Sequence, residues 1–206
     1  MIEIIDNALP LSIFNKFIKK ISHYSFPWYI GKDIEQKHID NTDTDTVCID
    51  DNARPTLQFN HSLYDTLHRP KITSPYFDFF NQPIFDFLQD NKKIGGTLNR
   101  SKLNLLTNNH TIKSDNLYNV PHIDTDGPHL SVLIYLNNSD GDTIFFNERC
   151  DENKKKPKSL SIKQKISPKQ NRMVISDGNY HCSTNPINTE YRIVYNAVFT
   201  KIERFN

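Results

Sequence analysis

Cysteine is scarce in this chain. Its three copies, Cys48, Cys150 and Cys182, are an odd number with no C-x-x-C spacing, which argues against a disulfide scaffold and fits a reducing compartment. Charge of one sign is lacking too, since 25 Lys and Arg face 24 Asp and Glu for a net +1. So balanced a chain has no electrostatic footprint for a polyanion, and no nucleic-acid partner is expected. No apolar run reaches the roughly 18 residues of a membrane span, and the stretch MIEIIDNALPLSIF carries acidic residues where a signal peptide needs basic ones. The expectation is a cytoplasmic protein with no membrane partner. Internal repeats are absent, and nothing in the sequence speaks to oligomeric state.

What is present suits a globular fold. With 206 residues, 36% hydrophobic and 11% aromatic, the chain can bury a core around a closed pocket as one domain, residues 1–206. Pro10 followed by LSIFNKFIKKIS puts Leu11, Phe14, Phe17, Ile18 and Ile21 at helical spacing, which predicts a helix with one buried face. Residues 33–52, rich in Asp and Thr, read as a loop with one short strand at Val47 to Ile49. After Pro75 a second apolar stripe, Phe77, Phe80, Ile84, Phe85 and Leu88, predicts helix, with Pro83 expected to kink or split it. Such a stripe is core packing rather than a cofactor box.

From residue 97 the period changes to two. The runs TLNRSKLNLLT, HLSVLIYLN, DTIFF, NRMVIS and TEYRIVYNAVFTKI follow one another as strands. The lysine-rich segment between DTIFF and NRMVIS reads as a solvated loop. The expected architecture is α+β, with residues 1–96 mainly helical and loop support and 97–206 a β sandwich or barrel of the jelly-roll kind.

His-Ile-Asp occurs twice, at His38 to Asp40 and at His122 to Asp124, and chance alone supplies about one His-x-Asp in such a composition. In extended chain, residues i and i+2 point to one face, so such a pair converges on a single ion only on strand-like backbone. The second copy has that support: Pro121 disfavours helix and HLSVLIYLN follows within five residues. The first lies in the polar loop. A third ligand must come from elsewhere, and His181 is the best candidate, in SDGNYHCSTNP directly after MVIS. Arg192 falls inside the alternating strand YRIVYNAVF, where a buried guanidinium needs an anion. Two imidazoles and a carboxylate leave three adjacent coordination positions open, the arrangement suited to ferrous iron in oxygenases.

Here the sequence resembles the iron(II)- and 2-oxoglutarate-dependent dioxygenases, within them the prolyl 4-hydroxylase-like branch, from about Arg100 to Phe199. The pattern H-x-D, a distal His and an Arg beyond it maps onto His122, Asp124, His181 and Arg192. LIYLN resembles the strand whose tyrosine helps hold the cosubstrate, which gives Tyr135 that role by resemblance. SDGDTIFF resembles the usual turn into a strand, with Asp142 where a second glycine is common. In its overall layout the chain resembles small stand-alone enzymes of this type encoded by bacteriophages. The resemblance implies a double-stranded β-helix with supporting helices, iron(II) and 2-oxoglutarate as cofactor and cosubstrate with ascorbate as an optional accessory, and hydroxylation of a C–H bond. A protein side chain such as proline is the first expected substrate and a free small molecule the second.

Other readings stand beside this one. A metal- or sugar-binding jelly roll without turnover, or a zinc hydrolase built on His122, Asp124 and His181, leaves Arg192 and Tyr135 unexplained. His129 reads first as a surface histidine, and Cys182 as a small packing residue. Arg100, Lys102 and Asn104 alternate along RSKLNLLT, so they face together toward solvent or pocket.

Overall fold

The computed structural model describes residues 1–31, 53–54, 56–93, 96–108, 118–125, 127–149, 157 and 159–201. His38, Asp40, Cys48, Cys150, the strand expected at 47–49 and residues 150–156 and 158 of the lysine-rich segment lie outside them.

A seven-stranded sheet dominates. Its order is β1 (Ile2–Ile5), β10 (Met173–Ser176), β7 (His129–Tyr135), β12 (Tyr191–Lys201), β5 (Gly96–Thr107), β4 (Gln58–Asp65) and β2 (Tyr29–Gly31). A three-stranded sheet, β11 (Asn179–Ser183), β8 (Thr143–Arg149) and β9 (Ile162–Ile166), packs against it, and β3 (Ala53–Arg54) pairs with β6 (Tyr118–Asn119). All the pairings within the two larger sheets are antiparallel. This is the double-stranded β-helix architecture.

Alternation sorts the central strands onto two faces. Leu130, Val132, Ile134, Ile193, Tyr195, Ala197 and Phe199 pack with Phe14 and Phe17 of α1 (Leu11–Ile21) and Phe80, Ile84 and Leu88 of α2 (Phe77–Asp90). The intervening Leu133, Tyr135 and Val194 turn inward to meet Phe145 and Ile166 of the smaller sheet. Strands covered on both faces need apolar residues at nearly every position, and all seven residues of β7 are buried. Each buried Phe or Leu of this kind contributes about 1.5–3 kcal/mol.

Several elements depart from expectation. Helix α2 is continuous through Pro83, because one missing N–H costs less than the burial of Phe80, Ile84 and Leu88 on its inner face. The amino-terminal part is not only helix and loop: β1, β2 and β4 extend the large sheet at both edges. The supposed loop before NRMVIS contains β9, an edge strand whose exposed lysines hide its pairing with β8. The turn-rich stretch around His181 is itself a strand, β11.

Candidate active site

The two candidate imidazoles meet through the backbone. His122 N donates to His181 O and His181 N to His122 O, both at 2.9 Å, an isolated antiparallel pair that ties the segment after β6 to β11. The rings lie 4.8 Å apart between centroids. In each residue Nδ1 sits against a carbonyl two positions back, Val120 O at 3.1 Å for His122 and Asn179 O at 3.0 Å for His181. A carbonyl only accepts, so Nδ1 carries the proton and Nε2 the lone pair a metal takes.

Asp124 completes the group. One ligand atom each from His122, Asp124 and His181 lies within 4.8 Å of the others, so these three could hold a metal ion. Asp124 Oδ2 is 3.6 Å from His181 Nε2, and the carboxylate side chain is 1% exposed. Burial pulls its pKa upward, but His181, Arg100 and His122 and a hydrogen bond from Ser131 outweigh that and hold it well below the carboxylate range. Burial drives His181 down to about 4, against the pull of Asp124. At neutral pH the ring is uncharged, the form that ligates, and the standing partners of the carboxylate are Arg100 and Ser131.

Arg192 lines the same cavity as the three residues. It is 4% exposed, and its Nη2 donates to Thr143 Oγ1 at 2.7 Å while Nε has no partner among the described residues. Its carbon Cζ lies 5.5 Å from the centre of the Tyr135 ring. Burial lowers its pKa, opposed by Tyr135 and, at longer range, Asp142. A guanidinium this buried with an idle N–H suits an anion presented from the cavity. Gly141 permits the arrangement: a Cβ there would lie 2.7 Å from Thr184 O and 3.1 Å from Arg192 Cδ.

The structure therefore brings together four of the five sequence candidates on one cavity wall. Tyr135 stands behind them. It is fully buried, its hydroxyl donates to Thr143 Oγ1 at 2.6 Å, and it is not among the lining residues. Thr143, which sequence reading missed, accepts from both Tyr135 and Arg192 and lines the cavity itself. Its own proton is left to donate to a third group. Lys102 and Asn104 face the cavity rather than solvent, and Asn104 and Asn196 are buried there with carboxamide oxygens unpartnered among the described residues. Cys182 is buried on the wall beside His181. His129, expected at the surface, is 1% exposed and held by Gly127 O at 2.8 Å. Neither Thr143 nor Ser131 carried a sequence signal, since both are hydroxyls in ordinary strand context.

No sequence-family profile matches the chain, and no curated protein matches it. Solved structures do. The chain is similar to the Trichoplax adhaerens prolyl hydroxylase in complex with a hypoxia inducible factor oxygen degradation domain peptide fragment, at 13% identity and a TM-score of 0.58 over 97% of this chain and 83% of that one. It is similar to a Pseudomonas putida prolyl-4-hydroxylase at 10% identity and a TM-score of 0.52, over 98% and 92% of the two chains. A third likeness is to the non-heme alpha ketoglutarate dependent carbocyclase SnoK from nogalamycin biosynthesis, at 7% identity and a TM-score of 0.58, over 97% and 79%. At these identities the likeness establishes the fold, a double-stranded β-helix shared with 2-oxoglutarate-dependent iron oxygenases.

Proposed function

We propose that the chain is an iron(II)- and 2-oxoglutarate-dependent oxygenase that hydroxylates a C–H bond. One observation carries the reading: a triad of two imidazoles and a carboxylate shares a cavity with a buried arginine whose Nε is unpartnered among the described residues. A binding module or zinc hydrolase has use for the first and none for the second. His122, Asp124 and His181 would hold iron(II), and their donor set fits it. Bound there with 2-oxoglutarate, iron supplies oxygen activation coupled to release of succinate and carbon dioxide and transfer of one oxygen atom to the substrate.

The chain's own residues supply placement. Arg192 offers paired N–H groups to the distal carboxylate of 2-oxoglutarate, and Thr143 adds its hydroxyl. Tyr135 holds that pair from behind, a supporting role in place of the direct contact its sequence context implies. Burial of the whole cluster keeps water from competing for these bonds. Incubation with iron(II), oxygen and 2-oxoglutarate should form succinate slowly without added substrate. Retention of zinc with no succinate under any condition would favour the other two readings.

For the substrate, a protein side chain such as proline is the reading carried by resemblance, and two of the similar structures are prolyl hydroxylases. A polar small molecule is the second reading, favoured by the wall of Lys102, Asn104, Asn119 and Asn196, which suits hydrogen-bonding groups better than an apolar ring. Turnover of 2-oxoglutarate across peptides and metabolites, with mass spectrometry seeking a gain of one oxygen, separates the two.

A further inference from the structure

We infer that Arg100 is a positioning residue for the metal site, fixing Asp124 so that its carboxylate offers one defined oxygen, Oδ2, to a divalent metal. The inference rests on the metal reading above and goes beyond it by assigning a residue that is not a ligand. Arg100 Nη2 donates to Asp124 Oδ1 at 2.8 Å, while Ser131 Oγ donates to Oδ2. Oδ2 is the oxygen facing His181 Nε2. Oδ1 is thus engaged by Arg100 while Oδ2 is the oxygen presented to His181.

The clamp has a structural origin in the sheet. Val198 of β12 is the register partner of Arg100 on β5 and of Ser131 on β7. The two donors therefore stand on one rung of three adjacent strands, either side of β12, and point to the same face. Asp124 itself sits on a bend outside any strand, and the described residues between it and β7, 125 and 127–128, are bends as well. A ligand on such backbone would sample several rotamers, and ordering it at the moment of metal binding would weaken the site. Two pins from the rigid sheet remove that freedom in advance.

A merely compensating role for Arg100 makes the opposite prediction. If the guanidinium served only to neutralise a buried carboxylate, removing it would take a positive charge away from the metal and tighten divalent binding. If it positions the carboxylate, removal loosens binding. Cobalt(II) titration of the full chain, read by ligand-field absorption, distinguishes these, with thermal unfolding of the metal-free protein run alongside. Arg100→Gln should bind cobalt(II) about 10- to 100-fold more weakly than wild type and alter the absorption envelope. Arg100→Lys should recover only part, because an ammonium cannot hold a carboxylate in a fixed plane. A folded Arg100→Gln protein with wild-type or tighter affinity overturns the inference. Should that variant not fold, Ser131→Ala carries the test through the other pin: weaker binding with a changed spectrum is expected, and wild-type affinity and spectrum refute the clamp. A wild-type chain that takes up no divalent metal sinks the metal reading itself, and the inference with it.

Discussion

His122 and His181 are backbone partners, each amide donating to the other's carbonyl at 2.9 Å. A ligand pair joined in this way is spaced by the sheet and not by side-chain flexibility, so the rings are in place before any metal arrives. The His38 and Asp40 copy has no such partner implied by its sequence.

Metal content should follow that difference. His122→Ala, Asp124→Ala or His181→Ala should weaken iron(II) or cobalt(II) binding by more than the roughly 10- to 100-fold typical of outer partners. Replacing His38 and Asp40 together should leave it intact. Equal losses from both copies, measured by metal analysis after dialysis, would show that the wrong His-Ile-Asp was chosen.

Arg192 should behave as a cosubstrate residue and not as a ligand. Arg192→Ala should leave metal affinity nearly unchanged yet weaken 2-oxoglutarate binding by about 3–5 kcal/mol, on the order of a hundredfold to several thousandfold. Arg192→Lys should recover part of this. Tyr135→Phe acts only through Thr143 and Arg192, so its cost should be near that of one neutral hydrogen bond, about 0.5–1.5 kcal/mol. Isothermal titration of 2-oxoglutarate into the cobalt(II) form measures all three, and a Tyr135→Phe loss as large as that of Arg192→Ala would mean the phenol touches the ligand directly.

The site was more legible than the frame around it. His122, Asp124, His181 and Arg192 announce themselves because their residue types are costly to bury without a task and fall at telling positions on strand-like runs. Arg100, Ser131 and Thr143 were not legible in role, because what they do depends on cross-strand register, which the sequence of one strand does not contain. Among the elements, β5, β7, β8, β10 and β12 alternate or run apolar and were found. β9 and β2 are edge strands with solvent on one side, and β4 mixes Asn, His and Ser with its apolar residues, so hydropathy alone does not mark them. Pro83 misled because local rules weigh its lost hydrogen bond and do not see the core that α2 covers.

The outer face of the sheet offers a control on stability alone. Tyr195 is fully buried and its hydroxyl donates to Asn81 Oδ1 at 2.6 Å, joining β12 to α2 on the side away from the cavity. Tyr195→Phe strands that acceptor and should cost about 1–3 kcal/mol in denaturant unfolding. Metal and 2-oxoglutarate affinities should not change. A shift in either would mean that α2 is coupled to the cavity through β12.

Asp140 should make the protein's stability pH-dependent in a way that can be isolated. Its carboxylate gathers the turn that launches β12 toward Arg192, accepting from Asn188 N at 2.7 Å, Asn188 Nδ2 at 2.8 Å, Thr189 Oγ1 at 2.7 Å and Thr189 N at 3.2 Å. Partial burial would raise its pKa, but these hydrogen bonds prevail and lower it from 3.8 to about 2. A carboxyl whose pKa is lower in the folded chain than in the unfolded one stabilises the fold above the unfolded value, and the contribution fades as pH falls toward the folded value. Asp140→Asn keeps the shape but replaces one acceptor oxygen with a donor, and should cost about 1–3 kcal/mol at neutral pH. The gap between the variant and wild type should hold steady down to about pH 4 and then close as the pH approaches about 2. Denaturant unfolding of both proteins across that range measures it, and a gap that stays constant to the acid end would show that the turn is held by shape and not by the charge on Asp140.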